Sequence, residues 1–157
     1  MLITGVSSGF GRELTRQLLE RGYVVIGTVR QNGKVPDFVE RYPNAFSSEV
    51  LELTDTPSIR EVVDRAFARL GRIDVIINNA GYGLFGAAEE LTDEQVHQIV
   101  ATNLLGSIQL IRAVLPHLRA QGVGHIIQIS SYGGQVALPE TRCITPPSGV
   151  SRASSNL

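Results

Sequence analysis

Residues 4–11, TGVSSGFG, place three glycines between a short apolar stretch and a helical pattern. The preceding MLIT is typical of a short strand, and Leu14, Leu18 and Leu19 follow at helical spacing. Glycines at such a turn let the backbone approach a pyrophosphate, and the helix start offers unpaired N–H groups and a positive dipole end. The segment predicts a phosphate-binding turn; a tight strand-to-helix connection without a ligand is the alternative.

Further strands and helices alternate along the chain. Apolar or β-branched stretches at 23–29, 45–53, 73–77 and 125–130 predict four more strands. Helical patterns occupy the stretches between several of them, with glycines at many of the boundaries. This order predicts an α/β fold, a doubly wound parallel sheet with helices on both faces.

Local signals mark the ends of two of these helices. Thr56 before Pro57 predicts an N-cap followed by proline at the first helical position. Thr92 and Gln95 predict a capping box for a long helix that reaches about residue 118. Pro116 is expected to kink or thin the last turn of that helix.

Composition favours one globular domain in a reducing compartment. The chain has 157 residues, 43% of them hydrophobic and 18% charged, with a net charge of −1, which excludes a strongly basic nucleic-acid or anionic-membrane surface. Cys143 is the single cysteine, the three histidines lack metal-ligand spacing, and no metal site is expected. No uninterrupted apolar run approaches the ~20 residues of a membrane span, and the N-terminus lacks a signal-peptide pattern. A cytoplasmic location is expected.

Four motifs occur in the order found in one known family. TGVSSGFG resembles the glycine motif TGxxxGxG of the short-chain dehydrogenases/reductases, and NNAG at 78–81 follows the fourth predicted strand as in that family. Asn103 in TNLLG and the serines of ISS, before a GG pair, continue the resemblance. The resemblance implies a Rossmann-type fold, incomplete at the C-terminus, in residues 1–139, and an aberrant, disordered tail in residues 140–157.

The resemblance also implies a dinucleotide site. The residues expected to bind the cofactor are Thr4, Gly5, Ser7, Ser8, Gly9, Phe10, Gly11, Arg30, Glu52, Leu53, Asn79, Ala80 and Gly81. Phe10 stands where the family more often has an aliphatic residue, and Glu52 where it more often has aspartate. Glu52 and Leu53 would flank the adenine.

Arg30 bears on the choice of cofactor. An aspartate at the end of the second strand would bind a free ribose 2′-hydroxyl, whereas this sequence has Val29 followed by Arg30. A guanidinium suits a 2′-phosphate, so NADP(H) is favoured over NAD(H). The alternative is a solvated surface arginine.

The resemblance implies hydride transfer coupled to acid–base chemistry on an alcohol or ketone substrate. A family tyrosine exchanges a proton with the substrate oxygen, and a lysine four residues later lowers its pKa. Ser131 matches the serine that hydrogen-bonds the substrate, with Ser130 as the competing position. Asn103 matches the asparagine that supports a proton-relaying water.

The tyrosine–lysine pair is missing from this sequence. At the family's spacing these residues would fall at Ile144 and Ser148, and Lys34 is the only lysine. One permitted coding of residues 142–157, read from the third base of the Arg142 codon, encodes YNASK. We therefore expect a frameshift near Arg142, testable by sequencing the gene, and negligible turnover by this chain.

Three functions remain open from the sequence. The first is a reductase or dehydrogenase of small alcohols and ketones, in a truncated copy; the others are a non-catalytic dinucleotide-binding module and a gene remnant without function. The helix after Thr92 resembles the family's dimerisation helix, which makes a homo-oligomer one expectation, although its partner helix is missing. No nucleic acid or membrane partner is expected.

Overall fold

A computed structural model describes residues 1–84 and 88–131. The strands are β1 (Leu2–Ile3), β2 (Val25–Val29), β3 (Phe46–Val50), β4 (Val75–Asn78) and β5 (His125–Gln128). The helices are α1 (Gly9–Glu20), α2 (Pro36–Arg41), α3 (Thr56–Leu70), α4 (Asp93–Val100) and α5 (Ser107–Gln121). A 3-10 turn at Ala88–Glu90 precedes α4, and a π turn at Ala101–Gly106 joins α4 to α5. The tail assigned to residues 140–157 lies outside the described residues.

The five strands form one parallel sheet in the order β3-β2-β1-β4-β5. The α/β sheet predicted from the sequence is thereby confirmed. Leu2 of β1 lies opposite Ile26 of β2 on one side and Ile76 of β4 on the other. Because all strands are parallel, their carboxyl ends meet at one edge, where ligands bind in open α/β sheets.

Side chains alternate between two cores across the sheet. One face buries Leu2, Ile26 and Ile76 against α3 and α5. The other buries Ile3 and Ile77 against residues of α1 and α2. Apolar area on both faces explains why β2 is buried along its whole length and reads as a continuous apolar run.

Local details differ from the sequence expectations at two helices. Asp55, not Thr56, is the N-cap of α3, because its carboxylate accepts a hydrogen bond from the Ser58 N–H at 3.2 Å. Helix α5 continues past Pro116 to Gln121, where Gly122 at φ +75° ends it. Pro116 is exposed, so the missing backbone hydrogen bond lies on the solvent side of the helix.

Helix α2 has no counterpart among the predicted elements. Pro36 occupies the first helical turn and Asp37 supplies an acid there, two signals that favour a helix start. At six residues the helix is too short to show a clear apolar period, and Phe38 is its one buried side chain. Packing of Phe38 on Phe46 of β3, with ring centroids 5.3 Å apart, anchors it to the sheet.

The long helical stretch is apolar enough to be compared with a membrane span. Asp93–Gln121 has 29 residues, and its most apolar window has a mean hydropathy of 1.4. By length and composition this helical stretch could cross a membrane, although no uninterrupted apolar run in the sequence is long enough to do so. Its residues Leu110, Val114 and Leu118 are fully buried in the core with α3. Packing against the sheet thus uses part of this apolar surface.

Candidate dinucleotide site

The glycine-rich turn after β1 leaves an open cradle at the start of α1. Gly5 has φ +73°, and a Cβ there would lie 2.9 Å from the Ala80 Cα. A Cβ on Gly11 would overlap both Asn79 Nδ2 and the Gly5 carbonyl oxygen. Gly9, at φ +56°, has no atom within 4 Å of its missing Cβ, so it borders open space. The backbone can therefore approach a ligand closely here.

The N-terminus of α1 is electrostatically suited to an anion. Its first N–H groups have no partner inside the helix, and Ser8 at the N-cap makes no side-chain capping hydrogen bond. No acidic residue occupies the first turn. Unpaired donors and the positive dipole end therefore point toward the cradle without a competing carboxylate.

Thr4 positions the loop after β4, which forms the floor of the site at Asn79 and Ala80. Its hydroxyl accepts hydrogen bonds from the N–H groups of Asn79 at 3.0 Å and Ala80 at 2.9 Å. The Asn79 amide in turn donates to the carbonyls of Thr4 at 2.9 Å and Gly5 at 3.2 Å. Thr4 itself is completely buried and outside the cavity wall, so its contribution is to position the loop after β4.

A cavity of about 550 Å³ lies over these loops, within the usual range for small-molecule and cofactor sites. Its wall consists of Gly5, Ser7, Ser8, Gly9, Phe10, Gly11, Thr28, Val29, Arg30, Leu51, Glu52, Leu53, Asn79, Ala80, Gly81, Tyr82, Gln98 and Thr102. Apart from Thr4, all the residues expected to bind the cofactor are brought together in this wall.

Arg30 lies immediately after β2 in the cavity wall. It is exposed, and within residues 1–84 and 88–131 no carboxylate forms an ion pair with it. The guanidinium is thus available to an anionic group in the cavity. Arg12, the nearby arginine of α1, is instead paired with Asp37 at 2.7 Å and lies over the Phe38 ring.

Glu52 and Leu53 line the cavity just beyond β3, whose last residue is Val50. The Glu52 carboxylate accepts a hydrogen bond from the Thr54 N–H at 3.3 Å. Leu53 is buried, and its carbonyl oxygen would lie 2.7 Å from a Cβ on Gly106. The π turn therefore packs directly on the segment after β3.

Asn103 lies inside the π turn, where it fastens the loop after β4. Its Oδ1 accepts from the Tyr82 N–H at 3.1 Å and its Nδ2 donates to the Tyr82 carbonyl at 2.7 Å. Because both ends of this amide are hydrogen-bonded to Tyr82, the side chain braces the loop after β4 against the π turn. Short π segments are frequent at functional sites.

Ser131 follows β5 at the same carboxyl edge of the sheet. It is exposed and lies outside the cavity wall, as does the competing Ser130. Nothing in the described residues brings a tyrosine–lysine pair to this edge. Tyr132 and the positions where the family pair would fall, Ile144 and Ser148, lie outside the described residues.

The charged side chains with shifted pKa values, Glu13, Arg16 and Asp37, lie on the surface of α1 and α2. Hydrogen bonds from Arg16, and next from Gln17, lower the pKa of Glu13 to about 2. A hydrogen bond from Arg12 lowers the pKa of Asp37 below its ordinary value. Neither acid lines the cavity, so these shifts reflect surface pairing of the helices. Within the described ranges, no three His, Cys, Asp or Glu side chains cluster as a metal site.

Six residues of the cavity wall are not among the residues expected from the sequence to bind the cofactor: Thr28, Val29, Leu51, Tyr82, Gln98 and Thr102. Val29, Leu51 and Tyr82 adjoin predicted site residues, and Thr28 lies two positions before Arg30, so their closeness in sequence could have suggested them. Gln98 belongs to α4, outside the recognised motifs, and Thr102 begins TNLLG, a motif in which only Asn103 was expected to have a role.

The family model described as short chain dehydrogenase matches residues 1–143. A 3-ketodihydrosphingosine reductase of Bacteroides thetaiotaomicron is 40% identical over 139 residues, 88% of this chain and 49% of that protein. An NADPH-dependent 3-dehydrocapnine reductase of Ornithobacterium rhinotracheale is 33% identical over 144 residues, 88% of this chain and 51% of that protein. The chain spans about half the length of these curated relatives.

Solved structures show the same fold. A short-chain dehydrogenase from Streptomyces avermitilis superposes with a TM-score of 0.82 at 40% identity, covering 87% of this chain and 50% of that one. ElxO with NADP bound superposes with a TM-score of 0.81 at 28% identity, covering 89% of this chain and 58% of that one.

Proposed function

This chain belongs to the short-chain dehydrogenase family, and we propose that its cavity binds NADP(H) for hydride exchange with an alcohol or ketone. The observation that carries the proposal is the cradle at the start of α1, where Gly9 opens onto the cavity and Gly11 leaves no room for a side chain. A diphosphate fits such a cradle, because it needs close backbone approach and unpaired N–H donors.

Each part of the wall has a task in this proposal. The turn from Gly5 to α1 would hold the diphosphate, and the loop containing Asn79 would form the floor beneath the dinucleotide. Arg30 would bind the adenosine 2′-phosphate, because its guanidinium is exposed in the wall and has no ion pair among the described residues. The bound cofactor would supply the hydride.

NADP(H) is proposed over NAD(H) because Arg30 offers a guanidinium to the 2′-phosphate, which only NADP(H) carries. One relative is named as NADPH-dependent and one neighbouring structure contains NADP, which supports the same choice. Two relatives are named as reductases, which favours reduction of a carbonyl as the direction of the reaction. Ser131 is proposed as the serine that hydrogen-bonds the substrate oxygen, and Asn103 as the asparagine that supports a proton-relaying water.

A second candidate is a dinucleotide-binding module without turnover. The specific observation is that none of the four tyrosines in the 157 residues is followed four positions later by lysine. In the family that pair gives the substrate oxygen its proton, so its absence from these 157 residues favours binding without turnover. For these 157 residues we therefore propose cofactor binding without carbonyl reduction, and the hydride exchange proposed above is that of a chain that also carries the tyrosine–lysine pair.

Titration calorimetry of the purified chain with NADPH and NADH tests these proposals. We expect saturable binding, tighter for NADPH, and a melting temperature that rises with ligand concentration. Loss of NADPH absorbance with added ketones should stay at the background rate. The absence of any binding would contradict the proposed site, and steady NADPH-dependent reduction would contradict the proposed lack of turnover.

A further inference from the structure

One helical face forms a wall of the cavity, and the sequence motifs predicted no cofactor contact for it. Gln98 of α4 and Thr102 of the π turn both line the cavity, four residues apart. Gly106, a further four residues along, packs against Leu53. Residues at this spacing share a helix face, so the face bearing Gln98 is turned toward the segment after β3.

That segment marks the adenosine end of the proposed site. The cradle for the diphosphate follows β1, Arg30 follows β2, and Glu52 follows β3. Since the strands lie in the order β3-β2-β1, a dinucleotide with its diphosphate over β1 and its 2′-phosphate at Arg30 extends its base toward β3. Gln98 therefore faces the base rather than the nicotinamide.

The Gln98 amide is free to bind a ligand, unlike the other amides at the site. Asn79 is hydrogen-bonded to the backbone of the glycine turn, and Asn103 is hydrogen-bonded to Tyr82 at both ends. Gln98 is exposed, and its side chain makes no hydrogen bond in the part of the chain that the structure describes. A donor and an acceptor thus remain open on one wall.

We infer that Gln98 is the residue that reads the adenine ring of the dinucleotide, an inference that rests on the proposed cofactor site. A glutamine carboxamide accepts from the adenine 6-amino group while donating to a neighbouring ring nitrogen, a pairing with two-point specificity. Thr102 and Leu53 form the adjoining surfaces of the pocket. Gln98 is thereby a specificity-determining residue for the base, as Arg30 is for the ribose phosphate.

The test compares NADPH with its 1,N6-etheno derivative, in which the 6-amino donor and the N1 acceptor are both lost. Dissociation constants for both ligands are measured by calorimetry on the full chain and on Gln98→Leu, which removes the carboxamide and keeps an apolar side chain of similar length. We expect wild type to favour NADPH by roughly tenfold, the worth of one or two hydrogen bonds. In Gln98→Leu this ratio should fall to about twofold or less.

Gln109→Leu is the matched control, since Gln109 lies on α5 outside the cavity wall and contacts Arg112. It should keep the wild-type ratio. A Gln98→Leu ratio equal to that of wild type would overturn the inference while leaving the cofactor site intact. Failure of wild type to bind either ligand would instead remove the proposed function, and with it this inference.

Discussion

Single glycines control access to the cradle. Gly11 is buried beneath it, and an added Cβ would meet both the Asn79 amide and the Gly5 carbonyl. The amide is the end of a side chain and could move, but the Gly5 carbonyl is backbone within the turn itself. The requirement for glycine at this position is therefore steric, whereas at Gly5 it also includes a positive φ.

Gly11→Ala should destabilise the chain and abolish cofactor binding. We expect a loss of about 1–3 kcal/mol in the free energy of unfolding, typical of overpacking, measured by urea denaturation. Gly22→Ala is the control, because Gly22 has φ +81° but open space around it, so its cost is backbone strain of about 1–2 kcal/mol with normal binding. Normal NADPH binding by Gly11→Ala would show that the cradle is not the site.

Substitution of Arg30 tests whether this residue selects NADPH over NADH. Arg30→Ala should weaken NADPH binding by roughly tenfold to a hundredfold, the worth of hydrogen bonds to a charged group, and leave NADH binding nearly unchanged. Calorimetric titration of both cofactors measures this. Arg112→Ala, which removes an exposed arginine outside the cavity wall, should alter neither affinity. Equal losses for NADPH and NADH would contradict a role at the 2′-phosphate.

At the level of elements, the helix starts show how far local signals can be trusted. The capping box at Thr92 and Gln95 forms as expected, with both reciprocal hydrogen bonds. The start of α3 is displaced by one residue, because Asp55 competes with Thr56 and its carboxylate reaches the free N–H of Ser58. Two capping residues in succession leave the boundary undecided until the backbone geometry is known.

Asp55→Ala should therefore cost more than Thr56→Ala. We expect Asp55→Ala to lower the free energy of unfolding by about 1 kcal/mol, because it removes the cap. Thr56→Ala should be neutral within about 0.5 kcal/mol, since it changes a first-turn residue without capping contacts. Chemical denaturation measures the free energy of unfolding of both variants. A larger loss for Thr56→Ala than for Asp55→Ala would identify Thr56 as the N-cap.

The π turn is the element that sequence patterns did not reveal. The sequence predicts a single long helix after Thr92, because no local motif marks the wider hydrogen-bonding turn at Ala101–Gly106. Packing of Gly106 on Leu53 and the Asn103 brace to Tyr82 hold the turn in place, and both contacts join residues far apart in sequence. Helix α2 was missed for a different reason, its shortness.

Across the whole molecule, one buried amide links three strands and a helix. Asn78 at the end of β4 is completely buried. Its Nδ2 donates to Gln128 Oε1 at 2.7 Å and to the Ser107 carbonyl at 3.3 Å, and its Oδ1 accepts from the Thr4 hydroxyl at 3.4 Å. The carboxyl ends of β1, β4 and β5 are thereby held in register with the start of α5.

Asn78→Ala should be strongly destabilising, because the buried Thr4 hydroxyl, the buried Ser107 carbonyl and the half-buried Gln128 amide all lose this partner. We expect a loss of about 2–4 kcal/mol in the free energy of unfolding, measured by urea denaturation. Asn44→Ala, at an exposed asparagine, should change stability by less than about 0.5 kcal/mol. A loss for Asn78→Ala no larger than that of the control would mean that the network does not hold the strands together.

The amino-acid sequence alone predicts the α/β class, the glycine turn after β1 and the motif at 78–81. These features depend on the period of apolar residues and on short motifs, and neighbouring residues carry both signals. The sequence also predicts Arg30 and Glu52 as site residues, because each lies at the carboxyl end of a predicted strand. The carboxyl ends of parallel strands meet at one edge of the sheet.

The far wall of the cavity needed the folded chain. Gln98 and Thr102 reach the segment after β3 only because the π turn packs on Leu53, and the Asn103 amide is engaged only because Tyr82 lies beside it. Thr4 likewise matches a binding motif in sequence but is buried below the site. Whether a side chain faces a ligand or a neighbour depends on contacts between distant residues, and those contacts leave no local trace in the order of amino acids.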